Sequence, residues 1–201
     1  MSLFAVVPVK PLDEGKSRLA GHLDQPGRRA LNAHFLKRTL ALLSQFCGPG
    51  RTIVVSRDKE VLQAAAALEM VALNEPGEAD LNFALATGTT AARERGASAL
   101  LVLPVDLPLA TLEVLRAICA GDQPVIVLVP DRHGAGTNVL FQRPVMLRRY
   151  RFGPDSLARH QAIAEGAGCP VKILSAPALA LDIDTPADLA AWGGAASCPA
   201  A

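Results

Sequence analysis

The sequence predicts an α/β fold whose mostly parallel sheet is buried on both faces. Three observations carry this. Runs such as Phe4 to Val9, Ala99 to Leu103 and Val125 to Val129 are apolar throughout, as suits central strands covered from both sides. Longer stretches between them place apolar residues at three- and four-residue steps, the spacing of an amphipathic helix. Short turn signals join the two kinds, the pattern of strand–helix–strand units with right-handed crossovers.

A chain of 201 residues suits a single domain with a full-sized core, expected over residues 1–192, with a loose Gly- and Ala-rich tail at 193–201. Hydrophobic residues make up 50% of the chain and aromatic residues only 4%, so the core is drawn from Ala, Leu and Val. A net charge of +1 argues against a broad surface for nucleic acid or anionic membrane. No apolar stretch approaches the roughly 18 residues of a membrane span. Cys47, Cys119, Cys169 and Cys198 are scattered without a C-x-x-C pair, which fits reduced thiols in the cytoplasm better than a disulfide framework or a zinc site. The first apolar run has no charged region before it and is interrupted early by Lys10, so it reads as a strand rather than a signal peptide. The sequence sets no oligomeric state, and a homodimer is compatible with it.

In order, Phe4 to Val9 is the first strand. Pro8 to Leu19 follows as a loop with three cations, Lys10, Lys16 and Arg18, and one glycine, so any phosphate bound there is held by side chains more than by backbone amides. A solvated basic loop is the plainer reading, but the position directly after the first strand favours a triphosphate site. From Pro26 the steps Leu31, Phe35, Leu36, Leu40, Leu43 and Phe46 predict a helix, with Lys37 and Arg38 mostly on its outer face, ended by Gly48-Pro49-Gly50. Thr52 to Ser56 and Met70 to Leu73 are the next strands, with a helix from Asp58 to Leu68 between them. Asp80 is a plausible N-cap for a helix from Leu81 to Arg95, which Gly96 ends.

The central strand runs into Leu103-Pro104-Val105-Asp106-Leu107-Pro108. Proline stops the pairing there and lifts Asp106 out at the carboxyl edge, where open α/β sheets bind ligands. Two readings of Asp106 stay open: a ligand for a hard divalent cation that carries phosphates, or a cap for the helix expected from Leu109 to Ala120. After the strand Val125 to Val129 the alternation breaks down. The polar loop Asp131 to Asn138 either presents backbone amides and the Thr137 hydroxyl to an anion or is an ordinary turn, and its residues do not decide between them. A short strand, Val139 to Phe141, follows. Arg151 to Ser156 opens a helix to about Gly166, and a free Ser156 hydroxyl at a helix N-terminus suits an anion. His160 shares that face, although a lone histidine there more often fills a half-buried structural position. Strand periodicity puts Asp182 and Asp184 on one face, where two like charges favour a cation between them. Thr185, Pro186 and Asp188 form a capping box for the last helix.

Taken together, Val7-Pro8-Val9-Lys10, Lys16-Ser17-Arg18-Leu19, Leu81-Asn82, Leu103 to Pro108, Gly136-Thr137-Asn138, Phe152 to Ser156 and Leu181 to Pro186 resemble the 2-phospho-L-lactate guanylyltransferase family, which includes phosphoenolpyruvate and 3-phospho-D-glycerate guanylyltransferases. The resemblance runs from about Val6 to Leu189. It implies a Rossmann-like, three-layer α/β/α nucleotidyltransferase of the glycosyltransferase-A type. The implied reaction joins GTP to a phosphorylated three-carbon acid and releases pyrophosphate, in coenzyme F-420 biosynthesis. It also implies Mg²⁺ held by Asp106, Asp182 and Asp184, and acceptor contacts at Thr137, Gly153 and Ser156. Asp106, Lys16 and Arg18 would be the catalytic groups, and Lys10, Lys16, Arg18 and Asn82 would hold GTP. One departure stands out: the family pattern more often has glycine before the serine and phenylalanine after it, where this chain has Asp155 and Leu157. The rival readings are a molybdenum-cofactor-type guanylyl- or cytidylyltransferase, whose glycine-rich first loop is missing here, and a non-catalytic nucleotide-binding module on the same fold.

Overall fold

A computed structural model of the chain describes residues 2–75 and 80–193. The expected tail, from 194 onward, lies outside the described residues, and so does Cys198. In chain order the elements are β1 (Leu3–Pro8), α1 (Gln25–Phe46), β2 (Thr52–Ser56), α2 (Lys59–Ala67), β3 (Val71–Asn74), α3 (Leu81–Glu94), β4 (Ala99–Val102), α4 (Leu112–Ile118), β5 (Val125–Pro130), β6 (Thr137–Arg143), α5 (Ser156–Gly166), β7 (Val171–Ile173), α6 (Pro177–Ala180) and α7 (Pro186–Trp192).

The strands form one seven-stranded sheet in the order β3-β2-β1-β4-β6-β5-β7, in which β6 alone runs antiparallel to its neighbours. Val6 of β1 sits between Ile53 of β2 and Val102 of β4. From β1 the chain builds β2 and β3 to one side, then crosses to lay β4 on the other. The loops after β1 and β4 therefore diverge, and the crevice between them is the topological switch point.

Strand residues alternate between two cores. Ala5, Val7, Val54 and Leu101 face α1, α2 and α4, whereas Phe4, Val6, Ile53 and Leu100 face α3 and α5. On the second face α3 lies very close to the sheet: a Cβ at Gly88 would stand 2.5 Å from Val6 Cγ1. The helix starts follow from their caps. Asp24, Asp58 and Asp80 each accept a backbone N–H of the first turn, and Thr185 and Asp188 complete the capping box of α7.

Four expectations need correction. The helix after the central strand starts at Leu112 rather than Leu109, because Thr111 supplies the cap. Asp106 is thus no helix cap. β6 is seven residues long and inserts between β4 and β5. Asp182 to Asp184 joins no strand, although Ile183 is buried between the two half-exposed acids as alternation required. Finally, β7 and α6, too short to show a period, fall in a stretch where no element was expected. Among the described residues no helix is long and apolar enough to cross a membrane, and Cys47, Cys119 and Cys169 are free and buried.

Candidate active site

The loop after β1 is fixed before it reaches the crevice. The Val9 and Leu12 amides donate to the Val55 carbonyl and to Asp58 Oδ2, and Asn32 of α1 donates to the Leu12 carbonyl at 2.7 Å. Gly15 passes so close to Asn32 that a Cβ would lie 2.5 Å from its Nδ2. Lys16 then takes a left-handed backbone, φ 61°, uncommon for a residue with a Cβ. The loop carries its side chain inward. Leu19 anchors the far end in a small core with Leu31, Phe35 and Ile183.

The acidic side of the crevice comes from two segments joined by backbone. After β4, the Leu103 amide donates to the Val6 carbonyl, the Thr39 hydroxyl to the Val105 carbonyl, and Arg38 to the Ala110 carbonyl. Arg38 and Thr39 thus tether the loop that presents Asp106, although helical spacing puts Arg38 mostly on the outer face. The Ile183 amide donates to the Asp106 carbonyl at 3.1 Å, which brings the segment bearing Asp182 and Asp184 alongside. Lys16 Nζ lies 2.7 Å from Asp106 Oδ2 and 3.0 Å from Asp184 Oδ1, and its side chain is only 6% exposed. Arg18 reaches Asp184 at 3.7 Å from a position 73% exposed, so that pair is worth little by itself.

Charge is unevenly balanced here. Burial acts to lower the Lys16 pKa, but the Asp106 and Asp184 carboxylates outweigh it and hold the ammonium above its ordinary value. Asp182 is pushed above the usual carboxylate range by burial and by the Asp106 and Asp184 charges, against the hydrogen bond it accepts from Asn138. Asn138 Nδ2 is directed at three oxygens: the Leu179 and Ala180 carbonyls at 3.0 and 3.1 Å, and Asp182 Oδ1 at 3.3 Å. Among the described residues no group of three or more His, Cys, Asp or Glu side chains forms a ready metal cage. The donors nevertheless suit magnesium: they are hard oxygens, one is held under like-charge repulsion, and magnesium commonly takes one or two carboxylates together with substrate phosphates.

A cavity of about 300 Å³ opens beside Lys16. Lys10, Lys16, Asp106 and Asp184 line it, together with Arg57, Glu75, Asp80 and Leu81. A second cavity of about 290 Å³ lies at the opposite edge of the sheet, near Arg143 and Lys172, remote from every acid just described. The cavity at the switch point, with its lysines and acids, is the one that suits a nucleotide.

The remaining expected site residues lie farther along the carboxyl edge. In the loop before β6, the Asp131 carboxylate accepts the His133 and Ala135 amides, so those two donors are already engaged. The Ser156 hydroxyl is not free as expected: it accepts the Thr137 amide at 2.8 Å, and both residues are buried. Nor does Ser156 cap α5, whose N-cap position is Asp155. His160 is wholly buried; its Nε2 accepts the Arg151 amide at 3.0 Å, which leaves Nδ1 as the donor to the Thr137 hydroxyl at 3.0 Å. These bonds use the oxygens of Thr137 and Ser156 as acceptors and leave both hydroxyl hydrogens for another partner. Gly153 is exposed with φ 122°, a backbone open to glycine, and a Cβ there would meet nothing within 4 Å. Asn82 contacts the peptide of Phe152.

Sequence reasoning missed Arg57 on the cavity wall and did not single out Asn138 for a role of its own. It also missed Arg132, which pairs with Asp188 at 2.7 Å and ties the loop before β6 to the start of α7. Arg57, Asn138 and Arg132 meet Glu14, Asp182 and Asp188 at separations of 43, 44 and 56 residues, and no local period marks such pairs.

The sheet order and its switch-point crevice define an α/β fold of the nucleotidyltransferase type. Among solved structures the chain is similar to a Desulfovibrio desulfuricans G20 protein described as a nucleotide-diphospho-sugar transferase (TM-score 0.76, 16% identity, 94% of this chain and 84% of that one). It is also similar to CMP:2-keto-3-deoxy-manno-octonic acid synthetase complexed with CTP (TM-score 0.63, 14% identity, 98% and 99%). Residues 3–192 match the family described as guanylyl transferase CofC like, and the chain belongs to that family. The phosphoenolpyruvate guanylyltransferase of Rubrobacter xylanophilus is 43% identical over 94% of this chain and 93% of its own length. Those of Sphaerobacter thermophilus and Conexibacter woesei are 42% and 40% identical, over 94% and 86% of their lengths and 96% and 94% of this chain. Within the nucleotidyltransferase class, this protein is a guanylyltransferase of the CofC type.

Proposed function

We propose that this chain joins GTP to phosphoenolpyruvate with release of pyrophosphate, depends on Mg²⁺, and serves coenzyme F-420 biosynthesis in the cytoplasm. The observation that carries the reading is the convergence of the buried Lys16 ammonium on Asp106 and Asp184 at the wall of the switch-point cavity. The choice of phosphoenolpyruvate among three-carbon acids is supported by the names of relatives at 40–43% identity.

In this reading a phosphate oxygen of phosphoenolpyruvate attacks the α-phosphorus of GTP. The bond from that phosphorus to the α,β-bridging oxygen breaks, and pyrophosphate leaves in line. A phosphate dianion is already nucleophilic near neutral pH, so the protein supplies position and charge rather than a base. Lys10, Lys16 and Arg18 take the triphosphate as charge develops on the leaving group, a role supported by Lys10 and Lys16 at the cavity wall. Asp106, Asp182 and Asp184 would hold magnesium, which supplies charge neutralisation to the approaching phosphates. Thr137, Gly153 and Ser156 take the acceptor's carboxylate, with the two hydroxyl hydrogens as donors. The test is a panel of phosphoenolpyruvate, 2-phospho-L-lactate and 3-phospho-D-glycerate, each incubated with GTP and magnesium and read by mass spectrometry. The expected result is a guanosine diphosphodiester of phosphoenolpyruvate; a product with another acid alone, or with CTP in place of GTP, would overturn it.

A further inference from the structure

Asn82 sits one residue inside α3, beside Asp80 and Leu81 of the cavity wall, a place that suggests a reader of guanine. Its side chain is turned elsewhere. Asn82 Oδ1 accepts the Phe152 amide at 2.7 Å, and Asn82 Nδ2 donates to the Phe152 carbonyl at 3.3 Å. A main-chain residue offers one donor and one acceptor, and a carboxamide can answer both at once. An aspartate could answer only the amide. The next amide back, Arg151, donates to His160 Nε2, while the Phe152 ring packs edge-on to His160 with centroids 4.6 Å apart. Residues 151 and 152 are therefore gripped from α3 on one side and from α5 on the other, and Gly153 follows directly.

We propose that Asn82 is a positioning residue for the acceptor rather than a reader of the base, clamping with His160 the peptide that leads into Gly153. This rests on the reading that Gly153 and its neighbours take the acceptor carboxylate. Because α3 also forms the nucleotide wall, the clamp ties the placement of the acceptor segment to the helix that lines the GTP cavity. An unclamped segment would sample many conformations, and the acceptor would have to order it on binding, at a cost in affinity. Chemistry and GTP binding would be spared once the acceptor is saturating.

The test uses the full chain with Asn82→Ala and Asn82→Asp, both checked for folding by thermal melting. Hydrogen exchange over residues 151–153 reads the clamp itself. Michaelis constants for phosphoenolpyruvate and GTP read its consequence. Asn82→Ala is expected to speed exchange at the Phe152 amide and to raise the acceptor constant about tenfold or more, the scale of one to two lost hydrogen bonds. The GTP constant, the preference for GTP over ATP and turnover at saturating acceptor should stay near wild type. Asn82→Asp keeps an acceptor for the amide and should fall between the two. A raised GTP constant or new use of ATP, with the acceptor constant unmoved, would overturn the proposal and return Asn82 to the base. Faster exchange with both constants unmoved would overturn it too. Gly153→Val and Thr137→Val then separate the causes: if they raise the acceptor constant, only the role of Asn82 falls; if they leave it unmoved, the acceptor site is misplaced.

Discussion

Lys16→Met keeps the buried stem and removes the ammonium from between two carboxylates. Removing one partner of a fully buried pair costs about 3–5 kcal/mol, whereas an exposed pair is worth less than about 1 kcal/mol. Lys16 is 6% exposed, but Asp106 and Asp184 are 23% and 40% exposed and keep part of their hydration. The expected loss therefore falls between the two cases, at about 2 kcal/mol. For a chain of this length that lowers the melting temperature by about 4–8 °C. Lys16 has a raised pKa when folded, so its contribution is fully present below pH 10.5 and is lost only as pH rises through the raised value. A melt at neutral pH thus captures all of it. Magnesium should stabilise the variant more than the wild type, because Asp106 and Asp184 then lack the ammonium between them. Guanylyl transfer should fall by about 10²-fold or more, the scale of losing a preorganised charge at the reacting phosphates. A variant that melts and turns over like the wild type would refute the assignment of Lys16 to both roles.

Burial lowers the His160 pKa to about 4, so its contribution is present above pH 6.5 and is lost as pH falls through about 4. Wild-type stability should drop by up to about 3 kcal/mol across that window, and His160→Gln should flatten this part of the profile in urea unfolding; an unchanged slope would count against a buried neutral histidine. At Gly88, any Cβ presses on Val6 Cγ1. Gly88→Ala should cost about 1–3 kcal/mol by overpacking, despite the better helix propensity of alanine, and a more stable variant in the same assay would contradict the close approach of α3 to β1.

What the sequence made legible is what depends on neighbours in the chain. The apolar runs of β1 and β4 and the caps at Asp80 and Thr185 are local patterns, and they lie where expected. The position of Asp106 at the carboxyl edge also followed, since proline halts pairing after β4. Less legible was anything set by tertiary partners. β6 enters the sheet antiparallel between β4 and β5, a choice no run of seven residues reveals. The Asp182 to Asp184 segment alternates like a strand because Ile183 fills the core beside Leu19 and Phe35, with no strand pairing. Ser156 looked free at a helix start, yet the Thr137 amide, nineteen residues away, takes its oxygen. Nor does position alone reveal that the Asn82 amide bonds both the amide and the carbonyl of Phe152, seventy residues away.

Asp106→Asn offers the most direct measurement, because its carboxylate meets Lys16 and the cavity while its backbone holds Ile183. The amide is isosteric and keeps the backbone bond, so circular dichroism and the melt should show a folded protein. Transfer of labelled guanylyl groups from GTP to phosphoenolpyruvate, measured on that protein, should fall by about 10²-fold or more. Near-normal transfer by folded Asp106→Asn would place the chemistry somewhere other than this crevice.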